Sequence, residues 1–286
     1  MAKRKSERDP EDLPDAVDKS NQRNDEESDS DEDMDVVNVD FEWFDPQPAV
    51  DFHGIKTLLR QLLDVDSQLF DLSELADIIL SQPLLGSTVK VDGNETDPYA
   101  FLTVLNLETH KDKKSIQDLT AYLSRKSSSL LPGPPAQIGL ILTERFINMP
   151  HEIVPPMYTM LLEEIQWALE EKEPYSFTHY LVLSKRYTEI QSALPSNDAP
   201  PSKKKGKKSK ETEEEVFYFH PEDEVLQKHA VEYVNFEYDT PVDEGASDSK
   251  RAFQELGVKP KGHLILIEAA KFENAVQSVK KFLTGQ

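Results

Sequence analysis

The residues best able to do chemistry in this chain are its seven histidines, and none of them stands at a ligand spacing. His220 and His229 have Glu222, Asp223 and Glu224 between them, and His151 sits beside Glu152 with no second histidine in register. A zinc site of the H-E-x-x-H kind puts two imidazoles on one helical face, and that spacing does not occur. The chain has no cysteine, which removes thiol nucleophiles, thiolate zinc sites and disulfides together. Serine catalysis lacks its G-x-S-x-G elbow. Neither G-x-G-x-x-G nor G-x-x-x-x-G-K-[ST] is present to cradle a phosphate, and KKKGKKSK (203–210) has no strand before it. Paired carboxylates carry no information in a chain this acidic. The reading is a non-enzymatic protein with no cofactor and no metal.

What remains is charge. Against 54 acidic residues stand 32 Lys and Arg, a formal net charge of -22. Such a surface attracts basic partners and argues against binding the nucleic-acid backbone. Asp25, Glu26, Glu27, Asp29, Asp31, Glu32, Asp33 and Asp35 place eight carboxylates in eleven positions and form a candidate client-binding segment. Ser28 and Ser30 each have an acid three residues on, which suits an acid-directed kinase; a phosphate would add about -1.5 to -2 charges per site. Lys203, Lys204, Lys205, Lys207, Lys208 and Lys210 make a compact basic cluster of the nuclear-import type, with Lys3, Arg4 and Lys5 a weaker second. The alternative is a solvated linker balanced by Glu211 and Glu213 to Glu215.

Elements must position whatever surface does the binding. Residues 1–35 read as a disordered acidic tail, since like charges repel and there is little to bury. From residue 36 apolar periodicity takes over, with no stretch near the roughly 20 residues needed to cross a bilayer and no secretory signal at the start, so a soluble, intracellular protein is expected. VVNVDFEWF (36–44) predicts a strand, and its Trp43, Phe41 and Phe44 could anchor a partner or divide between sheet core and an adjoining helix. DFHGIKTLLRQLLD (51–64) predicts a helix with Ile55, Leu58, Leu59 and Leu62 inward, and DLSELADIILSQ (71–82) a second, capped by Ser73. Strands follow at 86–94 and 99–107, then a helix at 112–126. IGLILTERF (138–146) is apolar enough to lie centrally. A helix opens near Pro155 and Pro156 and runs past Lys172 to Pro174. A strand covers 177–190.

Residues 191–214 read as a disordered Lys-rich insertion. Strand FYF (217–219), a short helix or irregular turn at 221–230, strand 231–238, a helix at 249–257, strand 262–269 and a helix at 271–283 complete the pattern. Alternating strands and helices give an α/β class. One domain over 36–286, with a central mixed sheet flanked by helices, is expected.

IGLILTERFINMP (138–150) strongly resembles the BCCIP family of eukaryotic nuclear proteins. DFHGIKTLLRQL, GSTVKVDG, FLTVLNL, VPPMYTMLLEEI, HYLVLSKRY and FYFHPEDEVLQKHAVEYVNFEY extend the resemblance over roughly residues 36 to 285, and the chain looks like a fungal-type member. Glu144, Arg145, Phe146, Ile147 and Asn148 mark the motif, at an expected strand-to-helix turn, with Arg145 paired internally or to a partner's carboxylate. The resemblance implies a fold like the GNAT acetyltransferases without their activity. Consistent with that, no R-x-x-G-x-G/A segment offers backbone N–H groups to a pyrophosphate, and prolines follow the central strand instead.

The resemblance further implies a nuclear chaperone or escort for a basic large-subunit ribosomal protein, with nuclear transport factors and a phosphatidylinositol phosphate kinase as further partners. Shuttling to the cytoplasm and no direct binding of nucleic acid or membrane go with it. Two alternatives stand beside it: a scaffold or transport adaptor for nuclear regulatory proteins, and a divergent acetyltransferase.

Overall fold

Alternating apolar segments lay down an eight-stranded mixed sheet in the order β1-β2-β3-β4-β5-β8-β7, with β6 paired to β5 off that path. The structure, a computed structural model, describes residues 39–82, 85–127, 130–133, 135–189, 216–241 and 258–285. The acidic tail with Ser28 and Ser30, the lysine cluster and the predicted helix at 249–257 lie outside the described residues.

The strands are β1 (Glu42–Phe44), β2 (Ser87–Lys90), β3 (Ala100–Asn106), β4 (Ile138–Arg145), β5 (His179–Glu189), β6 (Val216–Tyr218), β7 (Glu232–Phe236) and β8 (Val258–Glu268). Among the described residues only β4 and β5 run parallel, and the other pairings there are antiparallel. The apolar run in β4 takes the middle of the sheet, as its composition predicts. The strand expected over 36–44 is confined to Glu42–Phe44 among the described residues, with Trp43 buried in the core. β8 starts four residues earlier than the apolar pattern indicates, because Val258 to Lys261 pair along the far half of β5 despite their polarity.

Two layers of helices cover the sheet. One core cluster joins α1 (Pro48–Leu63), α2 (Leu72–Leu80) and α3 (Lys114–Lys126) to one face; the other joins α4 (Val154–Glu170) and α6 (Ala269–Thr284) to the opposite face. A short α5 (Glu222–Lys228) packs against α6. The stripes Ile55, Leu58, Leu59, Leu62 and Phe272, Ala275, Val279, Leu283 are buried. The predicted cap Ser73 is displaced by Asp71, whose carboxylate accepts from the N–H groups of Ser73 and Glu74. Pro48 opens α1, where its missing N–H costs nothing. α4 stops at Glu170, short of the expected Pro174, and Lys172 takes a left-handed φ of 62°. Its last turn leaves Trp167 and Leu169 exposed.

Gly262 shows how tightly β7 and β8 are fitted. A Cβ there would fall 2.1 Å from the Phe236 ring, which is buried edge-on to Tyr122 and Tyr238. Gly262→Ala is expected to cost about 1–3 kcal/mol through overpacking. Urea denaturation checks this, and Phe236→Leu in the same chain should return part of the loss.

Candidate functional site

The parallel strands β4 and β5 pair only from Ile138–His179 to Leu142–Leu183. Beyond that register β4 continues on β3, and β5 on β8 and β6, so the two strands part at their carboxyl ends. The opening lies outside the carboxyl ends of parallel strands, the usual ligand position in α/β sheets. Each strand changes there from apolar to charged residues: Glu144 and Arg145 close β4, and Lys185 and Arg186 follow LVLS in β5. α1 brings Gln61 to the same place, and the turn into α5 brings His220, Glu222 and Asp223.

These groups form a buried ionic network. Lys185 Nζ lies 2.7 Å from Glu144 Oε2 and donates to the carbonyl of Gln61 at 2.8 Å. His220 Nε2 lies 3.0 Å from Glu144 Oε1. Gln61 Nε2 donates to the Arg145 carbonyl at 2.7 Å. The Arg145 guanidinium grips Glu222 with both arms, Nη1 to Oε1 and Nη2 to Oε2, the latter at 3.0 Å. Ser184 donates its hydroxyl to Asp223. Arg145 is thus paired inside the protein, with one of two adjacent carboxylates at the start of α5.

The charges in this network split the carboxylates. Burial opposes ionisation of Glu144, but the charges of His220 and Lys185 outweigh it and hold that carboxyl down to about 2. Burial, together with neighbouring Glu222, pushes Asp223 up to about 7. Burial lowers the His220 pKa, and the Glu144 carboxylate more than reverses it, so the net shift is upward.

The two carboxylates act on stability with opposite signs. Glu144 contributes stability above the ordinary glutamate value of 4.5 that is lost as pH falls toward about 2. Asp223 takes up a proton on folding, so its contribution is full below 3.8 and is lost as pH rises to about 7. Asp223→Asn, neutral at every pH, is expected to flatten that second fall. Urea midpoints taken below and above the window measure it; a variant with the parent's full decline would refute the assignment.

Above the network opens a cleft of about 750 Å³. Its walls include Val65, Phe146, Ile147, Met149, Phe219 and Pro260, and Arg60 stands at its mouth. Of the motif residues, Glu144, Arg145, Phe146 and Ile147 line the cleft, and Ile147 is 81% exposed; Asn148 is exposed and is not part of the lining. Sequence reasoning missed Lys185, Glu222, Asp223 and His220 as a group. The signal available was two apolar strand runs, each followed by a charged pair. Among the described residues no group of three or more His, Asp or Glu is placed to hold a metal ion, and no helix is long and apolar enough to cross a membrane.

The BCCIP family model matches residues 36–226. The chain belongs to the BCCIP family. Its BCCIP relatives include protein bcp1 of Aspergillus fumigatus, 62% identical over 90% of this chain and 91% of that protein. Protein bcp1 of Schizosaccharomyces pombe is 51% identical over 88% and 93%. The crystal structure of BCP1 from Saccharomyces cerevisiae superposes with a TM-score of 0.57 at 25% identity, covering 90% of this chain and 96% of that one. The α/β architecture with a central mixed sheet flanked by helices is therefore shared within the BCCIP family. As a BCCIP member the chain is non-enzymatic, which sets aside the acetyltransferase alternative. The charged groups under the cleft then serve to hold β4, β5, α1 and α5 together.

Proposed function

We propose that this BCCIP-family chain is a nuclear chaperone or escort for a basic large-subunit ribosomal protein, acting in ribosome biogenesis. The observation that carries the reading is the net charge of -22 with eight carboxylates crowded into residues 25–35. Such a segment occupies a cationic surface that would otherwise bind nucleic acid, while the folded body supplies specificity. The parallel β4–β5 pair within an otherwise antiparallel sheet fits a GNAT-like scaffold that has lost its pyrophosphate loop and is used for binding. Nuclear entry through the lysine cluster at 203–210, shuttling to the cytoplasm and export of a phosphatidylinositol phosphate kinase belong to the same reading.

The test is binding of purified basic large-subunit ribosomal proteins at two salt concentrations. One-to-one complexes that weaken with salt and keep the client soluble are expected; a client that precipitates equally with and without the chain overturns the reading. Alanine at all six lysines is expected to reduce nuclear enrichment in cells, which imaging of a tagged chain measures. A transport adaptor is the second reading. The cleft favours it, because its lining sets Arg60, Arg145 and Lys185 against Asp64, Glu144 and Glu152 and so suits a partner that is not basic.

A further inference from the structure

We propose that the cleft is a docking site for this chain's own residues 25–38, which lie across it when no partner is bound. The first ground is where that segment joins the fold. Glu42, at the start of β1, pairs with Lys90, and Val89 and Ala100 continue the register to Arg145. Tyr99 extends it by one residue, donating its N–H to Val89 and accepting from the N–H of Phe146. Glu42, Lys90, Tyr99 and Phe146 therefore share one row across the sheet, and three strand spacings make roughly 14 Å. The chain preceding β1 leaves from the same end of the sheet as the cleft. At about 3.3 Å per extended residue, Asp35 can reach the cleft mouth from Glu42.

The path between them is apolar and open. Tyr99 is 39% exposed and packs edge-on against Phe146, which leads to Ile147 on the lip. Val39, 41% exposed, stands at the start of that path. The segment DEESDSDEDMDVVN carries the matching chemistry: Met34, Val36 and Val37 for the apolar wall, and carboxylates on both sides of Met34.

Charge selects the place. In a chain of net charge -22 the cleft lining carries as many Lys and Arg as carboxylates. Arg60 at its mouth is exposed and makes no ion pair among the described residues. Below it the buried His220 Nδ1 has no hydrogen-bond partner among those residues. An acidic segment repelled by a net-negative surface meets here a charge-balanced seat with apolar walls. This inference does not depend on the basic client, because it concerns the chain alone.

The test uses the full chain, which has no cysteine, so Ser30→Cys gives one site for a spin label without altering a carboxylate. The readout is broadening of the Ile147 methyl signal by that label, with the methyls of Ile138, which opens β4 at the opposite end of the sheet, as the distant reference. At about 10 mM salt, where charges act over about 30 Å, several-fold broadening of Ile147 beyond Ile138 is expected; at about 1 M, where the range is about 3 Å, it is expected to fall away. It should also fall away in Arg60→Glu, and when the eight carboxylates are changed to Asn and Gln. Equal broadening of Ile147 in the neutralised chain would reduce the effect to tethering and overturn the proposal. So would broadening in a mixture of labelled and isotope-enriched molecules, which would make a second copy the occupant.

Discussion

Arg145→Leu is expected to destabilise the fold by about 3–5 kcal/mol, because it strands a buried carboxylate rather than because it removes a favourable bond. Glu222 is 1% exposed and takes both guanidinium arms of Arg145. Taking two charges out of water costs nearly as much as their attraction returns, so the intact pair adds little net stability. Taking away one partner leaves the other's desolvation uncompensated. In a chain of this size the loss corresponds to a fall in melting temperature on the order of 10 °C. Adding Glu222→Gln should recover most of it, since a neutral amide is far cheaper to bury than a carboxylate. Urea denaturation of the single and double variants separates the accounts. Equal destabilisation in both would mean that the guanidinium acts by packing, not by neutralising Glu222.

Lys90→Met is expected to produce a loss of similar size at the other end of the sheet row. Lys90 and Asp51 are fully buried, with Nζ 2.7 Å from Oδ1, and the ammonium also donates to the Asn94 carbonyl at 2.7 Å and to Asn94 Oδ1 at 2.9 Å. The second Asp51 oxygen accepts from the Gln47 N–H at 2.7 Å, so one carboxylate ties β2 to the entry of α1. Methionine fills the space but satisfies none of these acceptors, and about 3–5 kcal/mol should be lost. Asp51→Asn in the same chain should return part of it. With Trp167 replaced by Phe, emission from Trp43 on β1 reports the region directly, and its unfolding midpoint should shift with that of the whole. An unchanged midpoint would count against the pair as the link between these elements.

The sequence and the fold agree most closely where burial is decided by period. The α1 and α6 stripes could be read from spacing alone, because a helix with one apolar face has only one way to bury it. The central place of β4 followed from a run too apolar to face water on either side. The motif around Glu144 lies at the carboxyl end of β4, where that strand parts from β5. Its chemical partners stayed hidden because Arg145 and Glu222 are 77 residues apart, and Lys185 and Gln61 are 124 apart. Locally, Glu222 and Asp223 are indistinguishable from ordinary acids at a helix start, where the backbone dipole favours them on the surface. Only the parting of β4 from β5 turns them inward. The polar half of β8 was missed for a related reason: Lys259 and Lys261 lack strand-like character, yet β5 supplies a complete ladder for them to join.

The hairpin of β5 and β6 has an implication for engineering. Thr188 pairs with Val216, so the chain leaves β5 and re-enters β6 about one strand width apart. The entropic penalty of joining two points so near grows only with the logarithm of the intervening length. That segment can be shortened to a tight turn, or exchanged for a fluorescent reporter, with the ladder on either side still closing. The cargo between those ends is separable from the scaffold.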